Sequence, residues 1–232
     1  QMIKVIVNGA KGKMGKAAVQ AIVNDPHLEC VAECDVDSDL GLSIKDVAPD
    51  VVLDFYNMRR RAAEKAQPNA AHLALARLES AFDGQVDIIT QNVDGLHRIA
   101  GTQSQVELHG CIDEIACTRC SAVNPLDEDP NKPPLALPTC PDCGALARPN
   151  ILWFGETYWP GILEQAAEHA QRADVCLVIG SSGMVWPPMA LALASQRAGA
   201  RLVEINPEST SLSEEADLCW RGSAEDLLPK LL

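Results

Sequence analysis

The chain has 232 residues, 47% of them hydrophobic, enough for one sizeable core or a core with a small satellite module. Nineteen basic against thirty-two acidic residues give a net charge of -13, which repels phosphate backbones and argues against a nucleic-acid partner. No apolar run of transmembrane length occurs, and the first residues lack the apolar stretch and cleavage site of a signal peptide, so neither a membrane span nor secretion is expected. Nine cysteines in such a chain then point to a reducing, cytoplasmic setting.

Residues 2–55 have the rhythm of a βαβ unit, one half of a dinucleotide-binding fold. IKVIVNGA is a short β-branched run that leads into the glycine turn of Gly9, Gly12 and Gly15. KMGKAAVQAIVNDP has helical spacing and stops at Asp25-Pro26, and LECVAECD reads as a second strand. A third strand is expected at PDVVLDF, entered through Pro49. Backbone amides at a helix N-terminus behind a glycine turn suit a pyrophosphate. Asp35, twenty residues after Gly15, stands where an acidic side chain reads an adenine ribose.

YNMRRRAAEKAQ is helical in pattern. Tyr56 and Arg59 share a face at i and i+3, and a phenol beside a planar guanidinium makes a carboxylate clamp; a plain basic exposed face is the other reading. Pro68-Asn69 interrupts, and AAHLALARLESAF resumes as a helix. VDII is a strand running into the polar loop TQNVDGLH, where Asn92 and Asp94 can bond an amide or ribose hydroxyls, or simply cap a helix. His109 follows in ELHG; an imidazole titrates near neutrality and suits a general base, although a lone histidine is more often structural.

Residues 111–149 are rich in Cys, Pro and Asp and have little periodicity. Cys117-x-x-Cys120 and Cys140-x-x-Cys143, nineteen residues apart, have the spacing of two metal knuckles. The intervening NPLDEDPNKPPLALP cannot bury a core, so a structural zinc would supply the folding energy; a pair of disulfides is the alternative, disfavoured in a reducing compartment. Four protein ligands leave no open position for catalysis.

ADVCLVIGSS and ARLVEINPE read as buried parallel-type strands that end in polar loops, with the helix PMALALASQRAG between them and Gly199 as its stop. Small residues at Gly180, Ser181 and Ser182 let a backbone approach a phosphate, and Asn206 and Glu208 can bond ribose hydroxyls; ordinary turn chemistry explains the same residues.

TQNVDGLH, ELHG, CTRC…CPDC, PNILWFGE, GSSGMVWP, EINPE and RGSAEDLLP stand in one order, and together they resemble the sirtuin family over about 175 of the 232 residues. The resemblance implies a Rossmann-like parallel α/β sheet with helices on both faces and an inserted zinc-ribbon module. Residues 56–110 and 150–232 would form the Rossmann portion and 111–149 the zinc module. It further implies NAD-dependent removal of an acyl group from lysine, with an acylated peptide or protein as partner. The acyl oxygen attacks the ribose carbon as nicotinamide leaves, and the acyl group passes to ADP-ribose. On that reading Gln91, Asn92 and Asp94 line the nicotinamide and ribose pocket, and His109 is the catalytic base. Gly180, Ser181, Ser182, Asn206, Glu208, Gly222 and Ser223 hold the adenosine half. Phe154, Gly155 and Glu156 pair with the substrate peptide as an added strand. Sirtuins that resemble FYNMRRR prefer acidic acyl groups such as succinyl.

The resemblance breaks at the N-terminus. A sirtuin carries a glycine-rich GAGxSxxSGIPxFR loop; in its place stands NGAKGKMGKAAVQAI. About 54 residues there resemble the N-terminal part of bacterial dihydrodipicolinate reductase, whose GxxGxMG turn matches Gly9, Gly12 and Gly15, with no choice between NAD and NADP. The two resemblances exchange near Phe55. A recombined or engineered chimera is preferred over a natural fusion. Weak deacylation is expected from the lost cofactor loop. The competing expectation is an inactive chimera that only binds a dinucleotide.

Overall fold

A computed structural model describes residues 3–8, 13–34, 49–126, 137–153 and 156–232. In chain order its elements are β1 (Ile3–Asn8), α1 (Lys13–Val23), β2 (Leu28–Cys34), α2 (Pro49–Lys65), α3 (Ala70–Ala81), β3 (Ile88–Thr90), α4 (Leu96–Ala100) and β4 (Gln105–Glu107). There follow β5 (Gly110–Cys117), β6 (Val123–Pro125), β7 (Ala147–Ile151), α5 (Ile162–Arg172), β8 (Val175–Ile179), α6 (Pro188–Arg197), β9 (Arg201–Ile205), β10 (Leu218–Trp220) and α7 (Ala224–Leu227), closed by a 3-10 turn at Leu228–Leu231. The fold is α/β with parallel sheets. Among the described residues no helix is long and apolar enough to cross a membrane. The chain divides into two units, residues 1–65 with 109–157 and residues 66–108 with 158–232.

In the first unit β1 and β2 pair in parallel, and α1 between them ends as read, where the Asp25 carboxylate accepts the His27 N–H at 2.8 Å. The third strand expected at PDVVLDF is instead the start of α2. Two features outweigh the β-branched Val51-Val52. Pro49 occupies the first helical position, where its missing N–H costs no bond. Leu53, Asn57 and Arg60, spaced i, i+4 and i+7, are all buried, so one helical face carries the burial into the basic segment. That face packs on β5 and β7. Arg60, 5% exposed, donates to the Leu126 carbonyl at 3.1 Å and pairs with Asp113 at 3.5 Å. The cysteine-rich segment is a small antiparallel sheet ordered β6-β5-β7.

In the second unit the sheet runs β10-β9-β8, all parallel, and β3 pairs in parallel with β4. α3 starts with a capping box: the Asn69 carbonyl oxygen accepts from the amides of Ala71 and His72, and Nδ1 of His72 accepts from the Asn69 amide. Ala71, Ala74 and Leu75 of α3 bury against Ile205 of β9 and Leu227 and Leu228, with Ile88 and Ile179 at the margin. Ala192, Leu202 and Leu212 form a second cluster under α6, whose end is marked by Gly199 at φ +113°. β9 is the most buried of these strands, while β8 is only half covered and Val175 is exposed, so the expected burial holds for one strand better than for the other.

Candidate active site

The loops that leave the C-terminal ends of β8, β9 and β10 are tied to one another. Gly180, at φ +62°, donates its amide to the Ile205 carbonyl at 2.9 Å, and a Cβ there would meet no atom within 4 Å. Asn206 reaches across from β9 and donates its side-chain amide to the Ser181 carbonyl at 2.9 Å, while its own carbonyl oxygen accepts from the Glu208 amide at 3.3 Å. The Gly222 amide donates to the Asn206 carbonyl at 3.4 Å, and Ser223 caps α7 by accepting from the Asp226 amide at 3.1 Å. Ser182 accepts from the Met184 amide at 3.4 Å. Gly183 has a stricter reason to be glycine: at φ +69°, a Cβ would lie 2.8 Å from Oγ of Ser211. The structure thus gathers Gly180, Ser181, Ser182, Asn206, Glu208, Gly222 and Ser223 at one edge of a parallel sheet, the place where open α/β sheets take ligands.

Beneath these loops lies a charge that motif reading missed. Glu204 is 1% exposed, inside the apolar strand RLVEI. Burial pushes its carboxyl up, yet hydrogen bonds from Ser213 and Thr210 and the Arg221 guanidinium outweigh this and hold it below the ordinary carboxylate value. The available signal was a glutamate between Val203 and Ile205, since a charge in a buried strand must find partners.

After β3, the Asn92 amide donates to Oγ1 of Thr90 at 3.0 Å, and the Asp94 carboxylate accepts from the Leu96 amide at 3.0 Å. Asp94 thereby closes an Asx turn just before α4, whose N-cap is Gly95 with no side-chain cap bond, so the helix-capping reading of Asp94 is not what the structure shows. Asn92 is exposed and Gln91 half-buried.

In the other unit, the His109 carbonyl accepts from the Leu152 amide at 3.0 Å, which joins the residue to the end of β7. Tyr56 stacks on Trp153 at 6.3 Å and 14°, and the Arg148 guanidinium lies 4.1 Å over the same indole. Burial raises the Tyr56 phenol, so it stays a neutral donor. Arg59 is exposed on the same helix. The Glu156 carboxylate accepts from Arg148 at 2.7 Å and from the Trp153 amide at 2.9 Å. The Glu156 carboxylate is thus occupied within the chain. Gly15 lies in the first turn of α1. Gly9, Gly12, Asp35, Phe154 and Gly155 lie outside the described residues.

The four knuckle cysteines converge, their sulfurs all within 4.8 Å of one another. Cys117 and Cys143 stand 3.4 Å apart and Cys120 and Cys140 3.7 Å, too far for disulfides at about 2 Å. A tetrahedral zinc with Zn–S bonds of about 2.3 Å sets its sulfurs roughly 3.8 Å apart, so this donor set fits zinc. The two knuckles share one backbone design. The Cys117 amide bonds the Ala122 carbonyl and the Cys140 amide the Ala145 carbonyl, and the residue after each second cysteine, Ser121 and Gly144, has positive φ. The amides of Cys120 and Arg119 donate to the Cys117 sulfur at 3.3 Å each and pull its thiol below the ordinary range, toward the thiolate a metal needs.

Residues 40–187 match the model of the Sir2 family, and residues 3–60 match that of the N-terminus of dihydrodipicolinate reductase. The two matches overlap over residues 40–60. An NAD-dependent protein deacylase of Thermococcus kodakarensis is 42% identical over 188 residues, covering 79% of this chain and 73% of that protein. A Sir2 homologue solved as an NAD complex superposes with a TM-score of 0.74 at 33% identity, covering 98% of this chain and 87% of that one. Sir2Tm bound to a propionylated peptide gives 0.70 at 28% identity, covering 99% and 91%. A family match over well more than half of the sequence, with relatives this similar in sequence and structure, makes the chain a member of the Sir2 (sirtuin) family.

Proposed function

We propose that this chain is an NAD-dependent protein-lysine deacylase with a preference for acidic acyl groups. The observation that carries the reading is the stitched edge of the β8–β10 sheet, where Asn206 bonds Ser181 and three loops present backbone amides and small residues. Gly180, with open space where a Cβ would stand, suits the close approach of a dinucleotide phosphate. NAD, when bound, supplies an activated ribose carbon whose nicotinamide can be displaced. Asn206 and Glu208 would hold the adenine-side ribose, and Gln91, Asn92 and Asp94 the nicotinamide end. His109 would remove a ribose hydroxyl proton as general base. Tyr56 and Arg59 would receive the distal carboxylate of a succinyl group, and the Phe154–Glu156 backbone would pair with the peptide. Cys117, Cys120, Cys140 and Cys143 would hold a structural zinc with no open position, so no step of the reaction passes through it. The test is nicotinamide release from NAD in the presence of a succinyl-lysine peptide. Release with that peptide, lost in His109→Ala, supports the reading; none with either succinyl- or acetyl-lysine peptides overturns it.

A second reading has its own observation, the reductase-type match over residues 3–60 in a chain without a GAGxS sequence. The chain would then be a recombined one, residues 2–55 taken from a reductase, that binds a dinucleotide through Gly9, Gly12, Gly15 and Asp35 and does not turn over, where the first reading expects weak turnover. In the deacylase, a cofactor loop orients nicotinamide and excludes water from the ribose carbon, and lost positioning alone removes several kcal/mol of barrier lowering. Calorimetry with NAD and NADH beside a desuccinylation assay separates the two. Tight binding without turnover favours the second reading, and turnover with the peptide favours the first.

A further inference from the structure

We propose that Arg221, anchored by the buried carboxylate of Glu204, is a positioning residue that sets the Asn206–Glu208 turn and thereby the affinity for the adenosine half of the nucleotide. The proposal rests on the nucleotide reading given above. One Nη of Arg221 donates both to Oε2 of Glu204, at 2.5 Å, and to the backbone carbonyl of Glu208, at 3.0 Å. The other Nη donates to Oγ of Ser213 at 2.8 Å, and Ser213 in turn donates to Oε2 of Glu204 at 2.6 Å. Thr210 donates to the remaining oxygen of Glu204, and its amide donates to Oγ of Ser213 at 2.8 Å. One buried anion therefore holds the first half of the connection between β9 and β10, at Glu208, Thr210 and Ser213, through a single guanidinium fork and two hydroxyls.

That segment begins with the Asx turn of Asn206, whose side chain crosses to the Ser181 carbonyl. Arg221 also directly precedes Gly222, whose amide returns to the Asn206 carbonyl. The connection thus runs from Glu204 through Arg221 and the Glu208 carbonyl to Asn206 and on to the β8 loop. A buried ion pair is a poor stabiliser compared with an apolar filler of the same shape, because desolvation offsets its attraction. Its specific product here is orientation: the fork dictates where the Glu208 carbonyl lies, and so fixes both ends of the turn that carries the ribose-binding groups. Lysine offers no planar fork and would meet only part of this demand.

Titration calorimetry of the zinc-loaded full chain with ADP-ribose tests the assignment, run in a Gly12→Glu background so that the N-terminal glycine turn adds no second nucleotide site. Arg221→Met keeps the aliphatic stem and removes the fork. The expected result is at least a tenfold loss of ADP-ribose affinity with unchanged affinity for a succinyl-lysine peptide, and partial recovery in Arg221→Lys. Equal ADP-ribose affinity in the parent and Arg221→Met overturns the proposal, and so does an equal loss of peptide affinity, which marks a general loosening. If Arg221→Met does not fold, Ser213→Ala removes one link without stranding a charge; a severalfold loss of ADP-ribose affinity supports the proposal and an unchanged value overturns it. A folded parent that takes the peptide but no ADP-ribose overturns the nucleotide reading itself, a result distinct from failure of the variants alone.

Discussion

Among the described residues, Ile115, Leu126 and Ala147 form a buried apolar cluster in the cysteine-bearing sheet, whereas the loops after β8, β9 and β10 stand on clusters that include Leu202, Ile205, Leu212 and Leu228. The four converging cysteines fit a zinc, which would supply shape there, and the backbone around them is specified locally by two near-identical knuckles. The nucleotide-loop region depends on non-local packing and on Glu204, a single buried charge whose partners lie six to seventeen residues away. A module of the first kind is readable from spacing; one of the second kind has to be folded before its logic is visible.

The comparison can be broken at its strongest point by removing the metal. Apparent binding energies of structural zinc in small modules are on the order of 10 kcal/mol, so a chelator, or Cys140→Ala, should unfold the β5–β7 module outright. Metal analysis should give one zinc per chain beforehand. Hydrogen exchange should show protection lost in β5 and β7 but retained in β9; uniform loss would mean that the two regions do not depend on different forces. The reciprocal change is Leu202→Ala. Leu202 is fully buried in the second unit, and its truncation should cost about 2–5 kcal/mol by denaturant unfolding, with zinc content unchanged.

A smaller effect sharpens the contrast at the acyl site. Arg59→Met should lower the preference for succinyl- over acetyl-lysine peptides by about 1.5–3 kcal/mol, the worth of a hydrogen bond to a charged group, measured as the ratio of kcat/KM values or of peptide affinities. Equal ratios in the two proteins would remove Arg59 from the clamp.

The smallest expected effect concerns pH. His97 stands in α4, just after the Gln91–Asp94 loop, with Nδ1 buried and without a hydrogen-bond partner among the described residues. Burial, and then His72 at 4.7 Å between ring centres, lower its value from the ordinary 6.5, with Asp94 opposing them. The unfolded chain consequently takes up this proton first on acidification. Stability present above about pH 6.5 should be lost as the pH falls toward the folded value. Zinc release also destabilises the protein in acid, so the measurement is a difference: His97→Gln should lose less denaturant resistance than the parent between pH 7.5 and about 5.5. Identical losses would show that His97 carries none of the dependence.

Much of the site was legible because its chemistry is local. Cys117, Cys120, Cys140 and Cys143 needed only their spacing, and Gly199 only its place as a stop at the end of a helix, where it takes positive φ. The family resemblance, carried by short motifs in a fixed order, agrees with the Sir2 match over residues 40–187. The third strand at PDVVLDF failed for a reason of range. Two adjacent valines favour a strand over four or five residues, but the burial of Leu53, Asn57 and Arg60 acts over seven and selects a helix. Arg60, one of three consecutive arginines, looked like surface charge until its partners Asp113 and Leu126 arrived from more than fifty residues away.

The knuckles, the glycine turns and the strand-end polar loops were readable before folding, because each follows from residues a few positions apart, and the acidic net charge follows from composition. It took the folded chain to show that Glu204 is a buried anion tied to Arg221, that Glu156 spends its carboxylate on Arg148 and the Trp153 amide, and that Asp94 turns onto the Leu96 amide while Asn92 stays exposed. The physical reason is the same in each case. A charged or polar side chain has several satisfactory partners in the unfolded chain, water first among them, and the choice is made when burial removes the water and leaves whichever groups the packed backbone has brought within reach.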